Sequence, residues 1–194
     1  MRDDLRNVPL SDLTVEGGTR PPRPVLGVVP AHQRQPGKHL AAIHRHYLME
    51  MARIAQVLRR IEAGDAPPAE LKSIVLNADM TKNFRAFGTI CGQECRVLTM
   101  HHDIEEQSIF PQLHASGSDA VRAVVDRLRA EHLVVHEVLE RLAAVADDLA
   151  ASPDAAQFAE AGAVFDKLWE VVKSHFRYEE TTLEEALGYY GVMV

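Results

Sequence analysis

Apolar side chains recur every three or four residues along four long stretches of the chain, which are separated by short segments rich in glycine, proline and polar residues. That spacing places them on one face of a helix, so each stretch is predicted to form an amphipathic helix. The stretches are residues 38–63, 68–110, 119–150 and 154–187. Because short connections favour antiparallel neighbours, we predict an all-α fold, an antiparallel up-down four-helix bundle.

The first 37 residues differ from the rest of the chain. They contain six of the ten prolines and show little apolar periodicity, which predicts an irregular, proline-rich N-terminal segment. We divide the chain accordingly into this segment, residues 1–37, and the bundle, residues 38–190. The segment also holds four apolar residues that we expect to pack along the bundle surface: Val25, Leu26, Val28 and Val29.

Composition excludes several classes of partner. The formal net charge of −7 and the lack of a basic stripe argue against binding to nucleic acid or to anionic membranes. No apolar run is long enough for a transmembrane helix, and the N-terminus has no secretion-signal pattern. Only two cysteines occur, Cys91 and Cys95, which rules out a disulfide framework. Their spacing fits a metal or redox site, but both lie on an apolar helical face, which favours buried thiols. We expect a cytoplasmic protein that is a monomer or weak dimer.

Histidine and glutamate recur with one spacing on three of the predicted helices. On each of these helices two such residues lie four positions apart, so they share a helical face. A further histidine lies on the apolar line of the first predicted helix. Burying these groups is costly unless a metal ion binds them, and iron suits a mixture of imidazole and carboxylate donors. The sequence therefore predicts a site for two metal ions with seven ligands: His44, His101, Glu105, His132, His136, His175 and Glu179.

The second predicted helix contains two overlapping pairs with this spacing. His101 with Glu105 and His102 with Glu106 both fit. At 100° per residue, Glu105 is centred on the apolar face and Glu106 lies to one side, while the two histidines straddle that face. We therefore assign the ligand pair to His101 and Glu105, and leave His102 as an outer residue or the alternative ligand.

Four motifs together resemble the haemerythrin-type (HHE) cation-binding family. They are His44, HHDIEEQSIFP at 101–111, EHLVVH at 131–136 and SHFRYEE at 174–180. The resemblance covers residues 38–190, and it is specific because the order, the spacing and the helix placement of the motifs all agree. It implies the same four-helix fold that the apolar pattern predicts.

The resemblance also implies a cofactor, which is a non-haem centre of two iron ions with an oxo or hydroxo bridge. Carried over to this chain, Glu105 and Glu179 would bridge the irons. The five histidines would be terminal ligands, leaving one iron open to O₂ or peroxide. The chain is similar in particular to the actinobacterial haemerythrin-like branch, for which decomposition of hydrogen peroxide is the implied activity.

Small molecules are the expected partners, namely O₂, hydrogen peroxide or nitric oxide. Two protic residues are candidate catalytic groups: Tyr47, one turn from His44, and Glu94, two turns before His101. Breaking the O–O bond of a peroxide needs a proton, so such donors favour catalase-like decomposition of peroxide over reversible binding. Non-catalytic binding or sensing of O₂ or nitric oxide, and iron storage or donation, are the alternatives.

Overall fold

A computed structural model describes residues 5–16, 18–63, 65, 92–151 and 154–194. In that part of the chain every regular element is helical and no strand occurs, which confirms the all-α prediction. No helix in these ranges is both long and apolar enough to cross a membrane.

The helices begin and end close to the residues that the apolar pattern predicts. They include one π-helical turn, in which the helix is locally wider than an α-helix. The predicted start of the second helix, residues 68–91 with Cys91, lies outside the described residues. The elements in chain order are α1 (Gln35–Glu62), α2 (Gly92–Ile104), a π-helical turn (Glu105–Ile109), α3 (Phe110–Ser116), α4 (Asp119–Ala151) and α5 (Ala155–Tyr189).

The end predicted for the second helix was wrong. The chain stays helical beyond Phe110 and continues to Ser116, with Pro111 in the first turn of α3. In an unbroken α-helix a proline ring clashes with the carbonyl four residues earlier. Here the backbone N–H of Phe110 donates to the carbonyl of Glu105, five residues back, so the proline follows a wider turn at the start of a new α-helical segment.

The chain divides into two compact units, each assembled from separate stretches. The first, here called the site unit, consists of residues 14–46, 100–135 and 171–194. Its buried core is built from apolar side chains of α1, α3, α4 and α5. The largest fully buried members of that core include Leu40, Phe110, Leu113, Leu128, Leu183 and Leu187.

The second unit contains residues 1–13, 47–99 and 136–170, of which the described residues form helical segments and a short N-terminal turn. Its buried side chains include Tyr47 from α1 and Phe165 from α5. Arg141 on α4 binds the N-terminal residues of this unit, because its guanidinium donates hydrogen bonds of 2.8 Å to the carbonyls of Leu5 and Val8.

Within the site unit the N-terminal segment is held closely against α5. A Cβ atom added at Gly188 would overlap the carbonyl oxygen of Gln33, so only glycine permits this approach. Of the four apolar residues expected to be covered, Val29 is buried and Leu26 packs on the core. The expectation was wrong for Val25 and Val28, which are exposed.

Candidate metal centre

Seven ligand-type side chains come together in the site unit, in two groups. Within each group, one nitrogen or oxygen atom from every member lies within 4.8 Å of those of the other members. All seven side chains are buried, with exposed fractions from 0 to 7%. The first group is His44, His101, Glu105 and Glu179, and the second group is His102, His132 and His175.

Glu105 lies between the two groups. Its Oε1 atom is 3.1 Å from Nε2 of His101 in the first group, and its Oε2 atom is 3.4 Å from Nε2 of His132 in the second. Each oxygen therefore faces a different group. A carboxylate that presents one oxygen to each of two sites is suited to bridging two metal ions.

Glu179 on α5 also lies between the two groups, although the same oxygen is near both. Its Oε2 atom lies 3.5 Å from Nε2 of His44 and 3.8 Å from Nε2 of His175, which again belong to different groups. The side chain is 1% exposed. Two carboxylates, from the π-helical turn and from α5, thus stand where the groups meet.

The two buried carboxylates meet a test for metal binding. Apart from each other, the carboxylates of Glu105 and Glu179 have no hydrogen-bond partner for their four oxygens among the described residues, although buried polar atoms almost always have one. Burial raises the pKa of Glu105 to about 8. Burial and, next, the nearby Glu105 carboxylate raise the pKa of Glu179 well above its ordinary value. Bound cations would satisfy these oxygens and favour their ionised form.

Three histidines of the centre are held in the neutral form that binds metals. Burial, followed by the neighbouring imidazoles, lowers the pKa of His44 well below its ordinary value and that of His101 to about 2. Burial likewise lowers the pKa of His175, whose Nε2 atom has no hydrogen-bond partner among the described residues. Neutral imidazoles and unsatisfied carboxylates together are the donor set of a transition-metal site.

Three outer glutamates hold three of these histidines by the nitrogen that faces away from the centre. Each glutamate contacts Nδ1 of a histidine on another helix, so that the Nε2 atom is left for the centre. The protonation state is clearest for Glu131: burial alone would raise the pKa of its carboxyl, but hydrogen bonds from His175 and Arg20 lower that pKa, so the ionised carboxylate accepts a hydrogen bond from His175. The contacts are Glu106 with His132 at 2.9 Å, Glu131 with His175 at 3.2 Å and Glu180 with His44 at 3.0 Å.

These outer contacts pass from helix to helix. The π-helical turn supports α4, α4 supports α5, and α5 supports α1. The supporting role of these glutamates was not predicted from the sequence, where only Glu106 was considered and then as part of the alternative ligand pair with His102. Spacing along one helix does not reveal a partner on another. A signal was nevertheless present, since each glutamate is directly adjacent in sequence to a predicted ligand: Glu106 to Glu105, Glu131 to His132 and Glu180 to Glu179.

The structure brings six of the seven sequence-predicted ligands into the two groups. The seventh, His136, is half-buried on α4 in the second unit and belongs to neither group. His102, which sequence analysis left as the alternative to His101, is fully buried and belongs to the second group. Its ring stacks on that of His132, with ring centroids 4.0 Å apart.

The two predicted proton donors lie in the second unit. Tyr47 is 6% exposed and follows His44 by about one turn of α1. Glu94 is on α2, and its side chain lies outside the described residues.

A comparison with protein families identifies the kind of domain. The family model described as the hemerythrin HHE cation binding domain matches residues 35–187. The chain belongs to this family. The match includes all seven residues of the two groups and begins where α1 begins, so the described N-terminal residues up to Arg34 lie outside it. Searches among curated proteins and among solved structures returned no match.

Membership makes this chain a metal-binding helical protein of a family whose typical metal is iron. It confirms the family that the four sequence motifs indicated. The matched range also agrees closely with the stretch, residues 38–190, over which that likeness was predicted.

Proposed function

We propose that this protein is a non-haem di-iron protein that reacts with O₂ and hydrogen peroxide, and that its reaction is the catalase-like decomposition of peroxide. The observation that carries the di-iron proposal is the placement of Glu105 and Glu179, each between a histidine of the first group and a histidine of the second. Two bridging carboxylates with unsatisfied oxygens suit two ions better than one.

The donors would be shared unequally between the two ions. The first ion would be held by His44 and His101, together with the bridging carboxylates of Glu105 and Glu179. The second would have the same two carboxylates and three histidines: His102, His132 and His175. The first ion therefore has one protein donor fewer, and we assign the open position for a small molecule to it.

Bound iron ions would supply the two electrons for reduction of an oxygen species, or accept two electrons on its oxidation. The protein's part is to keep the centre dry and to deliver protons. Its seven ligand-type residues are at most 7% exposed, and the most exposed of them is His101, a donor to the ion with the open position. That exposure supports access of O₂ or peroxide from the His101 side.

Peroxide decomposition converts two molecules of H₂O₂ into one O₂ and two H₂O. One peroxide is oxidised by two electrons, and the other accepts these electrons and two protons. We assign proton delivery to Tyr47, because it is buried and follows His44, a donor to the more open ion, by one helical turn. The phenol would donate its proton as the O–O bond breaks and recover it from the next peroxide.

The test is to add hydrogen peroxide to the iron-loaded protein and to follow oxygen release together with peroxide loss. We expect one O₂ for every two H₂O₂ consumed. Tyr47→Phe should slow the release roughly a hundredfold while iron content stays unchanged, as expected for loss of a general acid. The control is His32→Ala, which alters an exposed histidine of the N-terminal segment. A stable, reversible oxygen complex without oxygen release from peroxide would contradict catalysis and favour oxygen carriage.

A further inference from the structure

Arg20 belongs to the N-terminal segment, outside the residues that the family model matches. We propose that Arg20 is a positioning residue of the metal centre, which acts through Glu131 to hold His175 in the orientation that binds metal. The proposal rests on the metal centre proposed above, and it adds to that centre a part of the chain that the family match does not include.

Glu131 is the link between Arg20 and the centre. Its side chain is 1% exposed, and its two oxygens receive contacts from three residues. Arg20 approaches as a fork, with Nε 2.8 Å from Oε1 and Nη2 2.9 Å from Oε2. Arg127 donates to Oε1 at 2.8 Å, and Nδ1 of His175 donates to Oε2 at 3.2 Å. Oε2, the oxygen that accepts the hydrogen bond from His175, therefore also accepts one from Arg20.

The two arginines have different roles in this arrangement. Arg127 contacts Oε1 of Glu131, whereas His175 contacts Oε2, and another nitrogen of Arg127 donates to the carbonyl of Val15. Arg20 bonds to both oxygens, so it fixes the plane of the carboxylate as well as its position. A histidine held by an oriented carboxylate keeps both its tautomer and its ring direction, on which metal affinity depends.

Arg20 is itself held in place from several directions. Its Nη1 atom donates to the hydroxyl of Ser174 at 3.1 Å, and its guanidinium lies 4.6 Å from the centre of the Tyr178 ring. The Tyr178 hydroxyl donates in turn to the carbonyl of Pro21 at 2.9 Å. Ser174 and Tyr178 flank His175 on α5, so the N-terminal segment contacts α5 on both sides of this ligand.

The same segment offers a matched control. Arg23 forms an ion pair with Glu185, which also binds Arg34, so its loss leaves that glutamate with a partner. The Arg23 side chain is 50% exposed, and Glu185 is not a member of either metal group. Arg23→Gln thus removes an arginine and an ion pair from the segment without altering a residue that holds a ligand.

The experiment compares wild type, Arg20→Gln, Arg20→Lys and Arg23→Gln. Each purified protein is loaded with Fe(II) under anaerobic conditions and titrated with a competing chelator, and iron per chain is measured at each step. Unfolding of the metal-free proteins by urea is measured alongside. We expect Arg20→Gln to hold its more weakly bound iron about 10- to 100-fold less tightly, the usual effect of losing an outer partner of a metal ligand. Arg23→Gln should match wild type.

Arg20→Lys is the second test, and it applies even if Arg20→Gln does not fold. Lysine keeps the charge but cannot form the two-pronged contact, so we expect only partial recovery of iron affinity. If Arg20→Gln or Arg20→Lys retains iron as tightly as wild type, the inference is wrong while the proposed function stands. The inference is also wrong if Arg23→Gln loses as much iron affinity as Arg20→Gln. It is likewise wrong if the loss of affinity in the Arg20 variants only parallels a lower free energy of unfolding of the metal-free protein, since the segment then contributes only packing. A wild-type protein that binds no iron would overturn both proposals.

Discussion

Oε1 of Glu106, on the π-helical turn, lies 2.9 Å from Nδ1 of His132 on α4. Glu106 is half-buried and directly follows Glu105, which faces the centre. Adjacent side chains on a helix point in different directions, and here they reach different neighbours. One glutamate of the pair therefore reaches the metal groups while the other reaches a ligand on the neighbouring helix.

Replacing this outer glutamate tests whether it supports the metal centre. Glu106→Gln should weaken iron binding about 10- to 100-fold, because the amide no longer draws the Nδ1 proton of His132 as strongly as a carboxylate does. Asp103→Asn is the control, since Asp103 is an exposed acid only three residues away. A chelator titration that gives equal affinities for the two variants would show that the Glu106 contact is incidental.

His101 and His102 should each support a different ion. The structure places His101 in the first group and His102 in the second, so we expect His101→Ala and His102→Ala each to retain about one iron per chain. The measurement is iron content after desalting, by elemental analysis. If the His102 variant alone keeps two irons, only His101 is a ligand, as the sequence-based assignment supposed. If the His101 variant alone keeps two irons, the ligand is His102 instead.

His136 remains a predicted ligand on the spacing of His132 and His136 alone. It lies in neither group, so from the structure we expect His136→Ala to keep both irons, whereas His132→Ala should lose iron. Measuring iron content of the two variants in parallel decides between the two interpretations. Loss of an iron from the His136 variant would restore the sequence-based ligand set.

Removing the metals should destabilise the protein. A ligand that binds only the folded state adds about 2.7 kcal/mol to the free energy of unfolding when its free concentration is a hundredfold above Kd. Urea unfolding with iron and with a chelator should therefore differ for wild type. In Glu105→Gln, which keeps the shape of the side chain but loses the bridging charge, the difference should largely disappear. His46→Ala, at an exposed position on α1, should retain it. Equal unfolding curves for loaded and metal-free wild type would contradict a metal site in the core.

The helices and most of the metal groups could be predicted because both depend on spacing within one helix. The three-to-four residue repeat of apolar side chains gave bounds within a few residues for α4 and α5. The same repeat identified Glu105 and Glu179 as inward-facing carboxylates, and both are buried. The antiparallel up-down order of the helices stays a prediction.

The choice between His101 and His102 could not be made in the same way. It used a constant 100° per residue as far as Ile109, but the π-helical turn Glu105–Ile109 changes the twist within that stretch. The choice also assumed that this helix contributes a single histidine, paired with the glutamate four residues later, to a single cluster of ligands. With two groups side by side, neighbouring histidines can both be buried, each in its own group.

The outer residues depend on contacts between distant parts of the chain. Arg20 and Glu131 are far apart in sequence, and no periodicity connects them. Such a contact becomes visible only when the N-terminal segment is placed against α4 and α5. For the same reason the sequence could not distinguish Val29, which is buried, from Val28, which is exposed.

The central claim is that one chain binds two iron ions between the two groups, and its most direct test is a count of metals. The metal-free protein is titrated anaerobically with Fe(II), and bound iron is determined by elemental analysis against protein concentration. We predict saturation at two irons per chain for wild type, and loss of both when Glu105 and Glu179 are replaced together by alanine. Saturation at one metal, or a single zinc in the protein as purified, would contradict the account.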